Sequence, residues 1–111
     1  MRSRDMAKTL NALGLCARAR KLIFGTPMIC EALRSKQKPL LVLCAADNSE
    51  NTAKRLRDRC AFYAVETVVL DCDGEMLARA LGKSGKLAAV AVSDENLCRL
   101  VRGTMEEETN L

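Results

Sequence analysis

The amino-acid sequence predicts an α/β fold, namely a three-layer α/β/α sandwich around a mixed sheet of about four strands. The length of 111 residues suits one compact domain. The composition, with 49% hydrophobic and 29% charged residues, is typical of a globular chain with a core. Helical and extended patterns alternate along the chain, as they do in sandwiches of this class. We expect residues 1–102 to form the single domain and the acidic residues 103–111 to be a disordered tail.

The first half of the chain predicts a helix, a strand, a helix and a strand over residues 5–17, 22–24, 26–36 and 40–46. Apolar residues at helical spacing indicate the first helix. The second helix begins well because Thr26 can cap it and Pro27 loses no useful donor at the first helical position. Pro39 prevents its extension. The uninterrupted apolar run Leu40–Ala46 is typical of a strand that is buried on both faces.

The second half predicts a helix, a strand, a short helix, a strand and a last helix over residues 50–64, 67–70, 75–81, 87–92 and 94–102. The first of these helices follows a turn with capping residues and carries Leu56 and Cys60 on its apolar stripe. Thr67–Leu70 is rich in β-branched residues, and Leu87–Val92 is a second fully apolar run. The connection Gly82–Lys86, with two glycines and two lysines, precedes that last strand.

The charge balance favours a polyanionic partner. Lysine and arginine number 18 against 14 acidic residues, of which three lie at 106–108, so residues 1–102 carry an excess of seven positive charges. The chain has no histidine, which is the usual neutral-pH proton shuttle and the commonest metal ligand. No apolar run is long enough to cross a bilayer, and no signal peptide is evident. We therefore expect a soluble, cytoplasmic protein with no membrane association.

Cysteine usage indicates structural thiols. The six cysteines are far apart and form no CxxC pair, at Cys16, Cys30, Cys44, Cys60, Cys72 and Cys98. We expect them to be reduced and buried, with no metal site. A thiol enzyme is the alternative that the cysteines leave open. Acid–base pairs and nucleophile–histidine arrangements are absent or incomplete in the sequence, so no reaction can be assigned from the residues.

Several basic groups could contact phosphates. Gly82–Lys83–Ser84 resembles the end of a nucleotide-binding P-loop, but Leu77 stands where that motif needs its first glycine. The two glycines and two lysines of this connection can still approach a phosphate chain. Two other basic groups flank the second helix: Arg18, Arg20 and Lys21 precede it, and Arg34, Lys36 and Lys38 follow it. A further group on the third helix is interpreted as a solvated outer face, namely Lys54, Arg55, Arg57 and Arg59. With three aromatic residues, the chain can scarcely build a platform for stacking bases.

The segments Leu13–Gly25, Ala46–Lys54, Arg59–Val65, Ala80–Lys83 and Ala89–Asp94 resemble the bacterial YlxQ-type proteins. These are the small bacterial branch of the ribosomal protein L-seven-Ae / L-thirty-e superfamily, and the resemblance covers about residues 6–102. It implies the same sandwich, no cofactor, no catalysis, and binding of structured RNA such as the sharply bent kink-turn. It also implies association with ribosomal RNA or a ribonucleoprotein. We expect the chain to be a monomer.

The resemblance places RNA contacts at the start of the second helix and in the connection before the last strand. Together with the basic groups, the predicted RNA-binding residues are Arg20, Lys21, Gly25, Thr26, Pro27, Met28, Glu31, Arg34, Lys36, Gly82, Lys83, Lys86 and Leu87. The strongest RNA binders of the family read Gly-x-Asn-Glu-x-x-Lys at the first region, where this chain has Pro27, Met28 and Glu31. We therefore expect weakened kink-turn specificity. The alternative is a protein-interaction module that uses an exposed apolar cluster of Pro27, Met28 and Ile29 at the same place.

Overall fold

The computed structural model describes residues 6–109 and shows every predicted helix and strand. Their bounds, in chain order, are α1 Ala7–Arg18, β1 Leu22–Phe24, α2 Thr26–Leu33, β2 Leu41–Cys44, α3 Glu50–Phe62, β3 Glu66–Val69, α4 Gly74–Ala80, β4 Ala89–Val92 and α5 Glu95–Thr109. The predicted α/β class is confirmed.

The strands form one mixed sheet with the order β1-β4-β2-β3. Strand β4 runs antiparallel to both of its neighbours, whereas β2 and β3 are parallel. Phe24 therefore pairs with Val90, and Cys44 pairs with Ala89. Strands β1, β2 and β3 end where β4 begins, and we call this the Gly25 end of the sheet. The opposite end, where β1 to β3 begin, is called the Lys21 end.

Helices cover both faces of the sheet, which makes the three layers of the sandwich. The two central strands are fully buried, and their side chains alternate between two apolar clusters. Leu41 and Leu43 face the cluster that α1, α4 and α5 complete, while Val42 and Cys44 face the cluster that α2 and α3 complete. Burial on both faces explains why the strands read as continuous apolar runs.

Helix α2 differs from its prediction at both termini. Gly25, with φ 87°, occupies the cap position, and Thr26 is the first helical residue rather than the cap. The reason is that this positive φ is accessible to glycine and strained for threonine. At the other terminus α2 ends at Leu33 instead of continuing to Lys36. The Ser35 amide and hydroxyl both donate to the Ala32 carbonyl, at 3.0 and 2.7 Å, which tightens the last turn and stops the helix before Pro39 acts.

Helix α5 continues through residues that were expected to be disordered. The prediction of a disordered tail from Gly103 is wrong for residues 103–109, which are helical. Met105 packs against the core, and the Thr104 hydroxyl lies 3.0 Å from that of Thr9 in α1. These contacts attach the segment to α1, which lies far away in sequence. Residues 110 and 111 lie outside the described residues.

The six cysteines are all buried and unpaired, as predicted. Burial raises the pKa of the Cys44 and Cys60 thiols to about 11, so both are protonated at neutral pH. A protonated, buried thiol is a poor nucleophile, which disfavours the thiol-enzyme alternative at these two positions. Across residues 6–106 no group of three or more Cys, Asp or Glu side chains is arranged to hold a metal ion. The helices within the same range are too short or too polar to cross a membrane.

Candidate nucleic-acid interface

Two connections that are distant in sequence come together at the Gly25 end of the sheet. The Gly25 amide donates to the Ala89 carbonyl at 3.1 Å, which joins the start of α2 to the start of β4. One residue earlier, the Phe24 ring lies 4.4 Å from Lys83 Nζ, measured to the ring centroid. This cation–π contact holds the α4–β4 connection against β1. Antiparallel pairing of β1 with β4 is the cause, because it places the last residue of one strand beside the first residues of the other.

The first turn of α2 presents the backbone amides of Thr26 and Met28 at this end, since Pro27 has no N–H. Gly25 has φ 87° and ψ 153°, turns the chain into the helix, and has no side chain that could accept from the first amides. Its carbonyl accepts from the Ile29 amide at 3.0 Å, so the helix is regular from its start. A helix N-terminus carries a partial positive charge and donors without an intrahelical partner. This part of the surface is therefore suited to an anion such as a phosphate.

The α4–β4 connection supplies the cationic side chains beside that helix terminus. Lys83 and Lys86 are both exposed, and Gly82 and Gly85 adopt positive φ values of 75° and 79°. The connection is anchored at its far side, where the Leu87 amide donates to the Gly74 carbonyl at 3.0 Å. The lysines thus extend from a backbone that is fixed at its return into the sheet.

Acidic side chains occupy the other half of the same end. Asp47 accepts from the Gly74 amide at 2.8 Å and lies 3.7 Å from Lys86 Nζ. Asp73 caps α4 by accepting from the Met76 amide at 2.7 Å. Burial raises the pKa of the Cys72 thiol, and the charges of Asp73, Asp71 and Asp47 raise it further. The basic part of the Gly25 end therefore lies on the β1–β4 side, where Lys83 and the start of α2 meet.

The structure divides the predicted residues between the two ends of the sheet. The Gly25 end carries those of the α2 start and the α4–β4 connection, namely Gly25, Thr26, Pro27, Met28, Gly82, Lys83, Lys86 and Leu87. The Lys21 end carries Arg20 and Lys21, which precede β1, and Arg34 and Lys36, which follow α2. The eight residues of α2 separate Arg34 from Gly25 by about 14 Å. Glu31 is exposed on the helix between them.

The apolar cluster expected at the start of α2 is smaller than predicted. Pro27 is exposed and Met28 is 55% exposed, but Ile29 is fully buried in the core. Ile29 packs in the cluster between α2, α3 and the sheet, because helical spacing points it away from its two neighbours. The prediction that Ile29 contributes to an exposed apolar surface is therefore wrong.

Sequence patterns did not single out three residues that shape this end. Asn48 donates to the Ala88 carbonyl at 2.9 Å and fixes the backbone just before β4. The Phe24 ring makes the cation–π contact with Lys83. The Gly74 amide donates to Asp47, and the Gly74 carbonyl accepts from the α4–β4 connection. A turn rich in capping residues is a weak signal for Asn48. The other two depend on contacts across the fold, which local patterns do not contain.

Comparison with known proteins gives clear relatives, although no protein-family model matches the chain. The chain is 36% identical to the RNA-binding protein YlxQ of Bacillus subtilis (strain 168) over 83 residues, which cover 75% of this chain and 80% of that protein. It is 32% identical to the RNA-binding protein YlxQ of Enterococcus faecium over 90 residues, with coverages of 81% and 85%.

Solved structures share the fold. A Bacillus halodurans protein of unknown function superposes with a TM-score of 0.81 at 33% identity, covering 90% of this chain and 98% of that one. A 15.5 kD RNA-binding protein of Giardia lamblia superposes with a TM-score of 0.75 over 94% and 87% of the two chains, and at 19% identity it shows the likeness of the fold alone. The sequence identities to the curated relatives, which extend over most of each, show that the chain belongs to the YlxQ protein family.

Proposed function

We propose that this protein is a non-enzymatic RNA-binding protein that contacts structured RNA with the basic part of its Gly25 end. The observation that carries the proposal is the meeting of the α2 start with the lysine-bearing α4–β4 connection. The printed names of the two curated relatives, both RNA-binding proteins, support it. So does the excess of positive charge in residues 1–102.

Phosphate contacts account for most of the proposed affinity. The amides at the α2 start bind one phosphate, and Lys83 and Lys86 neutralise others along the strand. Such contacts fix orientation but carry little sequence information. Binding should therefore weaken steeply as the salt concentration rises.

The residues at the start of α2 argue for reduced kink-turn specificity. Pro27 has no side-chain amide for a base edge, Met28 makes no useful base hydrogen bond, and Glu31 is an exposed carboxylate that repels phosphates. A good base-edge contact discriminates by roughly 1–3 kcal/mol, so three losses could exceed ~4 kcal/mol, about a thousandfold if they were additive. The proposed ligand is structured RNA, ribosomal or kink-turn-like, which the protein meets as a cytoplasmic monomer within a ribonucleoprotein.

Filter-binding titrations with a kink-turn RNA and a straight duplex of equal length, each at two salt concentrations, test this function. The double variant K83E/K86E should bind both RNAs at least about tenfold more weakly, and its slope of log affinity against log salt should fall by about 2. The matched control is R55E/R57E, which reverses the same number of exposed charges on α3. It should retain most of the affinity. In a further arm, E31K should strengthen kink-turn binding relative to the duplex.

The pattern of results decides between localised and diffuse binding. Equal losses of RNA affinity in K83E/K86E and R55E/R57E would show that positive charge acts without a defined surface. The assignment of the binding surface to the Gly25 end would then be wrong. Failure of the wild-type protein to bind either RNA would refute the RNA-binding function itself.

A further inference from the structure

An aromatic ring stands in solvent at the end of α3. Phe62 is 79% exposed, the largest value among the exposed large apolar side chains of residues 6–106. Tyr63 contacts it edge to face, with ring centroids 4.9 Å apart and planes at 85°. Tyr63 is itself half-buried against the core cluster under α2 and α3. Tyr63 therefore supports the Phe62 ring on one side and leaves much of its surface open.

One basic side chain lies over the Tyr63 ring, and two more are close in sequence to that lysine or to Phe62. Lys38 Nζ lies 5.7 Å from the centroid of the Tyr63 ring and donates to the Ser35 carbonyl at 3.4 Å. Lys36 precedes Lys38 by two residues and is exposed. Arg59 precedes Phe62 by three helical positions, so the two share a face of α3. Neither Lys36 nor Arg59 has a carboxylate partner within the described part of the chain.

The nearest carboxylates already have partners. Asp58, which precedes Phe62 by four positions, is bound to Lys54 at 2.7 Å. Glu66, at the start of β3, accepts from the Arg102 guanidinium. Two acidic charges that could have offset the neighbouring cations are thus neutralised by other basic residues, and the surface keeps a net positive charge.

We propose that Phe62 with Lys36, Lys38 and Arg59 is a second RNA contact, which stacks one unpaired base on the phenyl ring and holds the adjoining phosphates. An exposed ring beside unpaired cations is the combination that single-stranded nucleic acid requires. The thirteen residues of α3 separate Phe62 from the Gly25 end by about 20 Å. This contact would therefore engage an unpaired segment that flanks the folded element. The inference rests on the proposed RNA-binding function.

Charge argues against a second copy of the chain as the occupant. In a two-fold symmetric dimer centred on Phe62, Arg59 and Lys38 of one copy would approach the same cations of the other. That repulsion would oppose the small apolar contact of two rings. A strand of phosphates with exposed bases complements both features at once.

The chain offers a clean optical test because it contains no tryptophan. In F62W, a single indole reports on the site, and we expect a single-stranded oligoadenylate to quench its emission in a salt-sensitive manner. In parallel, F62A should bind a labelled oligoadenylate roughly 5- to 150-fold more weakly in fluorescence anisotropy, which is the usual range for loss of one stacked base. The matched control is L100A, which removes a 43% exposed apolar side chain from α5. It should bind like the wild type, and urea midpoints should show that both variants are folded.

The outcomes separate this inference from the proposed function. If F62A and wild type bind oligoadenylate equally, or if the indole emission does not respond, the second contact is refuted, while the K83E/K86E result still judges the Gly25 end. If F62A loses affinity for oligoadenylate and L100A does not, the second contact is supported, even if K83E/K86E still binds folded RNA. A concentration-dependent dimer that F62A abolishes, with no oligoadenylate response, would assign the ring to a second copy and overturn the inference.

Discussion

Adding one methyl group at Gly74 should destabilise the fold by a predictable amount. A Cβ built there would lie 2.9 Å from the Leu87 carbonyl oxygen, 3.4 Å from Lys86 Cβ and 3.5 Å from Asp47 Oδ1. The closest atom belongs to the backbone, so relief requires movement of the α4–β4 connection. The same connection donates its Leu87 amide to the Gly74 carbonyl, and the Gly74 amide donates to Asp47. Movement therefore strains two hydrogen bonds as well as the packing.

We expect G74A to lower the free energy of unfolding by about 1–2 kcal/mol, in the range of overpacked core positions. This corresponds to a melting temperature lower by about 5–10 °C for a domain of this size. The matched control is G103A on α5, where an added Cβ has no atom within 4 Å beyond its chain neighbours and the backbone of its own helix. There the helix preference of alanine should raise stability by about 0.5–1 kcal/mol. Urea unfolding of both variants measures the difference, and a G74A protein as stable as G103A would refute the packing argument.

Two further predictions concern single side chains. S49A removes the hydroxyl that accepts from the Thr52 amide and caps α3, so the free energy of unfolding should fall by about 1 kcal/mol. The matched control is S84A, at an exposed serine of the α4–β4 connection, which should change that free energy little. Equal effects of the two variants in urea unfolding would contradict the capping role. Because burial raises the pKa of Cys44 from 9.0 to about 11, only the unfolded thiol ionises between these values. The stability of the wild type relative to C44A should therefore be constant below pH 9 and fall by up to about 1.4 kcal/mol per pH unit above it; a flat difference between pH 9 and 11 would contradict burial as the cause.

The order of helices and strands could be predicted from the sequence because each element carries its own pattern. The buried strands read as apolar runs, and the capped turn before α3 marks that helix from its own residues. The residues at which helices and strands end were harder to predict. The helical stretch of α5 beyond Arg102 depends on Met105 reaching the core and on Thr104 reaching Thr9, and both contacts join segments far apart in sequence.

The candidate site was predictable in part for a related reason. The resemblance pointed to the α2 start and the α4–β4 connection as RNA contacts, and strand pairing between β1 and β4 brings the two together. Lys21 and Gly25 are only four positions apart in sequence, but the extended residues of β1 between them hold the two on the order of 13 Å apart at opposite ends of the sheet. The exposure of Phe62 could not be predicted from the sequence, since a count of aromatic residues does not show which ring faces solvent.

The distribution of charge makes the Lys21 end relevant to RNA binding as well. At the Gly25 end, Asp47, Asp71 and Asp73 limit the basic area to the β1–β4 side. At the Lys21 end, basic residues precede β1, follow α2 and occupy the last turn of α3. The acidic residues Glu66 and Asp94 at this end have partners, since Glu66 is bound to Arg102 and Asp94 accepts from the Leu97 amide. A phosphate chain that leaves the first surface thus meets the larger excess of cations where α2 and α3 end, rather than beyond β3. The two surfaces would then act on one RNA, with the helix terminus and lysines holding its folded part and Phe62 its unpaired flank.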